Sequence, residues 1–250
     1  MATGSGAVVD KLKSAIASTA ASALRVDVYP DIFERLARLP LPVPRHVLRV
    51  GVPDAVLDHD ALFIHVPKNA GTSVSRVLYG RNVGHRSAWF YKRAMPRELA
   101  SRPTFAVLRD PVDRFVSSAA MLIGGGASDV HMLPHMREKL RHLSTVDAIL
   151  DWLEASSPGQ FDLNVIFRTQ SWYVRDRDGR IIVDRLFSIE DDREALSKYV
   201  AALAGESLPH ANRSDRRAIS LSAAQEERVR RHYARDYDLV ERVHDTVVEP

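Results

Sequence analysis

Cysteine is absent from the 250-residue chain. No disulfide can form, and no cysteine-based zinc site can be built. A continuous run of 18 apolar residues is also missing, so no membrane-spanning helix is expected. The opening, Met1 to Ala7, is small and neutral and lacks the basic start of a signal peptide. These absences set the expectation of a cytoplasmic protein without a transmembrane segment. Charge of one sign is scarce too: 35 Lys+Arg are set against 32 Asp+Glu, for a formal net charge of +3. That balance reads as a solvated surface, and no nucleic-acid partner is expected. No internal repeat is visible. What is present, 45% hydrophobic residues in 250, suffices for one domain with a sizeable core.

The most informative stretch runs from Ala61 to Leu78. An apolar run, Ala61 to Val66, stops at Pro67. A loop of small residues with one lysine follows, and Val74, Val77 and Leu78 then recur at helical spacing. The order is strand, loop, helix. Such a loop aims unpaired backbone N–H groups and the positive end of a helix dipole at one spot. Lys68 adds a charge, and Thr72 and Ser73 add hydroxyls, which suits a phosphate or sulfate. The nucleotide-triphosphate loop, with glycine and lysine adjacent at the helix start, does not fit, because Lys68 precedes Gly71 and Pro67 stands where the first glycine belongs.

A second stretch, Thr104 to Ser118, repeats the grammar. Phe105 to Leu108 is long enough for a buried strand, with Arg109 at its C-terminal end. Asp110 suits an N-cap and Pro111 the first helical turn, after which Phe115 and Val116 would face the core. Ser117 lies eight residues after Arg109, nearly two turns into that helix. Arg109 and Ser117 can therefore converge on one anion, and arginine favours forked contact with phosphate oxygens.

Together, Val66-Pro-Lys-Asn-Ala-Gly-Thr-Ser73 and Arg109-Asp-Pro-Val-Asp-Arg-Phe-Val-Ser117 resemble the two signature loops of sulfotransferases that use 3′-phosphoadenosine 5′-phosphosulfate (PAPS). The likeness is to the bacterial and Golgi-type carbohydrate branch. Weaker echoes are Gln170-Ser-Trp-Tyr173, Phe187-Ser-Ile-Glu190, Leu208-Pro-His-Ala-Asn-Arg-Ser214 and Tyr233-Ala-Arg-Asp-Tyr237. They extend the resemblance to most of the chain from about Ala61 onward; the first fifty or so residues carry none. The resemblance implies a P-loop-like sulfotransferase fold, PAPS as donor, adenosine 3′,5′-bisphosphate as product and no metal requirement. It places the 5′-phosphosulfate on Lys68, Asn69, Ala70, Gly71, Thr72 and Ser73, and the 3′-phosphate on Arg109 and Ser117. By order and chemistry it assigns Arg213 and Ser214 to a basic loop closing over the nucleotide.

Sulfuryl transfer to a hydroxyl, by analogy with phosphoryl transfer, asks the site to position the partners, neutralise the leaving phosphate and remove a proton. Lys68 suits the leaving group. His85, in Val83-Gly-His-Arg-Ser-Ala88, matches the histidine pattern of many bacterial members, and the resemblance makes it the base; Lys92 and His131 are the next candidates. His65 reads as a packing residue on the strand. His131 and His135, spaced i and i+4, permit a metal pair, but no third ligand completes a zinc motif, and none is expected. Gln170 and Trp172 are candidates for lining the cleft, or for core in the case of Trp172, and Glu190 reads as scaffold. The acceptor class expected is a glycan or a hydroxyl-bearing small metabolite. A nucleotide-dependent phosphotransferase, or a non-catalytic module binding a nucleotide or sulfated glycan, are the alternatives.

Along the rest of the chain, Val8 to Leu24 reads as an amphipathic helix that packs on the core or on a second copy. Asp31 to Leu39 reads as a short helix, and Leu39-Pro-Leu-Pro-Val-Pro44 as a stiff connector. The expected division is an N-terminal extension, 1–50, and a catalytic domain, 51–250. Asn82 to His85 reads as a short strand and Ser87 to Leu99 as one helix. Gly124-Gly-Gly126 reads as a loop; Met132 to Leu143, Val146 to Leu153, Asp192 to Leu203 and Ala223 to Tyr233 as helices; Arg185 to Ile189 as a strand. Alternating strands and helices imply an α/β fold with a mainly parallel sheet and helices on both faces. Ligands in such folds bind at the C-terminal ends of the strands.

Overall fold

In the computed structural model, residues 31–124, 140–155, 159–161, 163–209 and 219–245 are described, together with Thr19, Ala23, Leu24, Val26 and Glu138. The three apolar runs form the strands β1 (Leu62–Ile64), β2 (Thr104–Leu108) and β3 (Arg185–Ser188), hydrogen-bonded in that order and all parallel. Phe63 stands opposite Phe105, and Val107 opposite Phe187. Every residue of β1 and β2 is buried. Successive strand residues point to opposite faces, so both faces of the sheet are covered.

Twelve helices surround this sheet among the described residues: α1 (Asp31–Ala37), α2 (Arg45–Arg49), α3 (Asp54–Leu57), α4 (Gly71–Tyr79), α5 (Ala88–Ala94), α6 (Pro96–Ser101), α7 (Pro111–Ile123), α8 (Val146–Ala155), α9 (Gln170–Val174), α10 (Arg193–Ala204), α11 (Ala223–His232) and α12 (Ala234–Asp245). Tyr199 of α10 sits edge-on to Phe105 at 5.2 Å and against Phe187 at 5.3 Å, which seats α10 on one face of the sheet. A second apolar cluster joins Phe115 and Ala119 of α7 to Leu150 and Leu153 of α8, to Phe167, and to Val229 and Tyr233.

Residues before position 51 share the core of the sheet: Ala37 and Leu48 are fully buried in it. Two buried carboxylates on α1 fasten it further. Asp31 pairs with Arg168 through both carboxylate oxygens, and Glu34 accepts from the Ser87 N–H at 2.6 Å and its hydroxyl at 2.9 Å.

Local chemistry explains most boundaries. Asp110 caps α7 by accepting from the Val112 and Asp113 N–H groups, and Pro111 opens the helix. Phe115 is buried as expected, whereas Val116 is only half-buried. Two expectations are corrected. Asn82 to His85 is irregular, because side chains take its N–H groups: Val83 N donates to the Ser75 hydroxyl of α4 at 3.1 Å and Gly84 N to Asn82 Oδ1 at 3.1 Å. The single helix expected over Ser87 to Leu99 breaks at Met95 (φ −145°, ψ 63°), since Pro96 lacks an N–H and disfavours a helical residue before it. Most of the expected helices Val8 to Leu24 and Met132 to Leu143, and Gly125 and Gly126, lie outside the described residues. Among the described residues, no helix is long and apolar enough to cross a membrane.

Candidate functional site

Because the sheet is parallel, the segments leaving β1, β2 and β3 emerge at one edge. They carry Lys68, Arg109 and Glu190 respectively. The loop after β1 is unusual in its backbone. Lys68 (φ 69°) and Ala70 (φ 57°) are both left-handed without being glycine, and Asn69 between them is not. Alternation of this kind turns successive N–H groups to one side and forms an anion-holding concavity. Ala70 is also the N-cap residue of α4 and makes no side-chain cap, so the first N–H groups of that helix face the same loop. L-residues in this region cost on the order of 1 kcal/mol or more each and persist where the surroundings over-determine them.

Those surroundings are visible. Arg114, 1% exposed, donates from Nε to Pro67 O at 3.0 Å, and one of its terminal nitrogens is buried without a hydrogen-bond partner. A permanent positive charge therefore lies against the loop from within. On the same helix Met121 receives Lys68 Nζ at 3.5 Å from its sulfur. Positions 114, 117 and 121 share one face of α7. Ser117, half-buried, is thus placed on the side that meets the loop.

Asn69 is fully buried, and its side chain is turned inward, not towards a ligand. Its Nδ2 donates to Val107 O at 2.8 Å and to Gln170 Oε1 at 2.7 Å. Only its backbone N–H remains for an anion. Ala70 and Thr72 are exposed and Ser73 is half-buried, as an open loop requires. Gly71 is needed for space: a Cβ there would lie 2.2 Å from His65 Cδ2.

Arg109 stands 3.7 Å from Glu190 and 3.8 Å from Asp113, separations too long for a hydrogen bond, and its Nε is buried without such a partner. Burial raises the Glu190 pKa above the ordinary carboxylate value, against the opposing pull of Arg109. The parallel register of β3 thus brings Glu190, read from the sequence as scaffold, beside the arginine.

His85 Nδ1 lies 3.0 Å from His65 O. A carbonyl only accepts, so Nδ1 carries the proton and the lone pair of the neutral ring is on Nε2. Burial, with smaller contributions from Arg114, Arg86 and Arg168, pushes the His85 pKa down to about 4, against the hydrogen bond to His65 that raises it. His65 is lowered well below 6.5, by burial first and by His85 second. Both rings are therefore neutral near pH 7.

The other candidates are placed as follows. Trp172 packs beneath the Arg38 guanidinium at 4.4 Å and the Arg168 guanidinium at 4.9 Å, which makes it part of the framework. Lys92 pairs with Asp176 at 3.1 Å. His131, His135, Arg213 and Ser214 lie outside the described residues. Among the described residues, no group of three or more His, Asp and Glu side chains is placed to hold a metal ion. Sequence reasoning passed over Arg114 and Asp236, and saw Gln170 only as a cleft-lining residue. Arg114 stands inside the second motif, one turn after the N-cap Asp110, and Asp236 inside the segment Tyr233-Ala-Arg-Asp-Tyr237; those memberships were the available signals.

A lysine in a donor-rich concavity, an arginine at the adjacent strand end and a neutral histidine behind the first loop can hold anionic groups and take up a proton. No known family model, curated protein or solved structure matches the chain.

Proposed function

We propose that this chain is a sulfotransferase that moves a sulfuryl group from PAPS to an acceptor hydroxyl, with a carbohydrate or a hydroxyl-bearing small metabolite as acceptor class. The observation that carries this reading is the left-handed pair Lys68 and Ala70 at the start of α4, with the buried Arg114 charge beneath. Strained non-glycine backbone at a helix N-terminus, backed by a fixed cation, has a physical purpose if an anion sits there. The residues fit a doubly anionic nucleotide. Lys68 and the loop N–H groups supply one set of donors, and Arg109, whose Nε lacks a hydrogen-bond partner, supplies the other.

When bound, the donor supplies an activated SO3 unit; its sulfur gains a bond to the acceptor oxygen and loses its bond to the 5′-phosphate, leaving adenosine 3′,5′-bisphosphate. In this reading Lys68 neutralises charge that grows at the 5′-phosphate. Arg109 and Ser117 hold the 3′-phosphate. His85 Nε2 takes the acceptor's proton. The tautomer set by His65 O supports that role, since it leaves the free lone pair on Nε2.

Thermal shift provides the first test. Adenosine 3′,5′-bisphosphate should stabilise the protein far more than 5′-AMP. Arg109→Ala should weaken the bisphosphate by about one to two powers of ten, as expected for hydrogen bonds between charged groups. Equal shifts from the two nucleotides sink the assignment. Turnover of labelled donor over a panel of sugar and small-molecule alcohols then identifies the acceptor.

A further inference from the structure

Gln170 opens the short helix α9 and is fully buried, yet its side chain reaches both anion-binding elements. Its Oε1 accepts from Asn69 Nδ2 at 2.7 Å and from Arg109 N at 3.0 Å, while its Nε2 donates to Arg109 O at 2.8 Å. The need for these bonds comes from the sheet. The β1–β2 ladder ends with Ile64 opposite Ala106. Beyond that point β2 has lost its neighbour on this side, and backbone groups left unpaired inside a protein are costly. Asn69 takes over Val107 O, and Gln170 takes over both the N–H and the C=O of Arg109. Two side chains, one from the loop after β1 and one from the start of α9, thus stand in for a strand.

Gln170 is itself held from a third element. Its backbone N–H donates to Asp236 Oδ2 at 2.7 Å, and Ser171 donates to Asp236 Oδ1 from its N–H at 2.9 Å and its hydroxyl at 2.6 Å. Asp236 belongs to α12 and is fully buried. We infer that Gln170 is a positioning residue that fixes the spacing between the Lys68 loop and Arg109, and that Asp236 sets Gln170 in place from the C-terminal helix.

Only a primary amide of this length fills the position. The oxygen uses both lone pairs and the nitrogen supplies a donor. Glutamate would set an oxygen against Arg109 O, and methionine would leave all three partners unmatched. The consequence for ligands rests on the sulfotransferase reading; the hydrogen-bonded lock does not. A ligand with two phosphates benefits from both half-sites only while their spacing matches its own, because the second contact is then intramolecular. A ligand with one phosphate is indifferent to the spacing.

Gln170→Met, which keeps length and volume, tests this in three measurements. First, amide exchange at Arg109 should accelerate by about tenfold or more, since its acceptor is gone, while the interior of α7 keeps its protection; unchanged exchange at Arg109 overturns the inference. Second, the dissociation constant for adenosine 3′,5′-bisphosphate should rise about tenfold to a hundredfold, with 5′-AMP and 3′-AMP each changing less than about threefold. An equal loss for all three, the mark of a general structural defect, overturns it. Third, in an Arg109→Ala background the same change should weaken the bisphosphate by less than about twofold more, because the two residues act through one contact. A fully additive loss overturns it. Should the wild-type protein fail to prefer the bisphosphate over 5′-AMP, the sulfotransferase reading falls, and exchange at Arg109 alone decides for or against Gln170. If Gln170→Met does not fold, Asn69→Ser breaks the same link from the loop side. It should then show the same selective loss of bisphosphate affinity, and uniform or absent loss counts against the lock.

Discussion

His85 and His65 form a directional pair: the Nδ1–H of His85 donates to the carbonyl oxygen of His65 at 3.0 Å, and their rings pack with centroids 4.2 Å apart. This pairing orients one imidazole with the backbone of the other, while burial keeps both neutral. It also joins the segment after α4 to the end of β1, so that a histidine twenty residues downstream in sequence is fastened to the start of the anion loop.

Turnover should therefore not follow an ordinary histidine titration. With the His85 pKa near about 4 in place of 6.5, the rising limb of the pH–rate profile should lie near pH 4, and the rate should be flat through neutrality. His85→Asn should lower turnover by about two to four powers of ten and leave bisphosphate affinity nearly unchanged. A limb centred near 6.5, or a variant with about a third of wild-type turnover when chemistry is rate-limiting, removes His85 from the mechanism.

Stability should depend on pH in the same direction. Both histidines have native pKa values below 6.5, the value for an unperturbed side chain. Between pH 6.5 and about 4 the unfolded chain binds protons that the native His85 does not, so native stability falls as pH falls and is full above 6.5. The melting temperature should be lower at pH 5 than at pH 7.5, by about 2–4 °C for each kcal/mol involved. The difference should shrink in His85→Asn; an unchanged difference would assign the pH effect to other groups.

Gly71→Ala should collide with His65, since the added Cβ would lie 2.2 Å from Cδ2 and 2.6 Å from Nε2. Overpacking of this kind costs about 1–3 kcal/mol. Chemical denaturation of the single variant and of Gly71→Ala with His65→Ala separates the cause. The double variant should recover stability relative to His65→Ala plus the full cost of Gly71→Ala, and strict additivity would rule the collision out.

Breaking the Asp31–Arg168 pair should cost far more than a surface ion pair. Both side chains are 1% exposed, and removing one partner strands a buried charge, at about 3–5 kcal/mol. Asp31→Ala should lower the denaturation midpoint accordingly, whereas Asp31→Leu combined with Arg168→Met should recover most of the loss. A cost below about 1 kcal/mol for Asp31→Ala would place the pair in water.

Lys68→Ala should lower turnover more than it weakens donor binding, because its charge matters most as the leaving phosphate gains charge. Steady-state kinetics with varied donor separates the two. A raised Michaelis constant with intact turnover would make Lys68 a ground-state contact only.

The strand–loop–helix units around Lys68 and Arg109 were legible in the sequence because their causes are local. An apolar run, a proline that stops it, an N-cap Asp110 and a helical spacing of Val74 and Leu78 act within a few residues of each other. The same holds for β3 and for α8, α10 and α11. Of the two failures, one was a local signal passed over, since Pro96 itself stops the helix expected over Ser87 to Leu99. In the other, Asn82 to His85 has the composition of a short strand, but the Ser75 hydroxyl takes the Val83 N–H and Asn82 Oδ1 the Gly84 N–H.

By itself, then, the sequence determined the three strands, the helices that follow the two motif loops, and the fact that these loops leave consecutive strands. Tertiary structure alone decided how these are held. Asn69 meets Gln170 across 101 positions, Gln170 meets Arg109 across 61, and Asp31 meets Arg168 across 137. No period or cap in the chain marks such partners. They are selected only when packing buries polar groups whose neighbours in the ladder have run out, and each must then find whatever donor or acceptor the fold has brought within 3 Å.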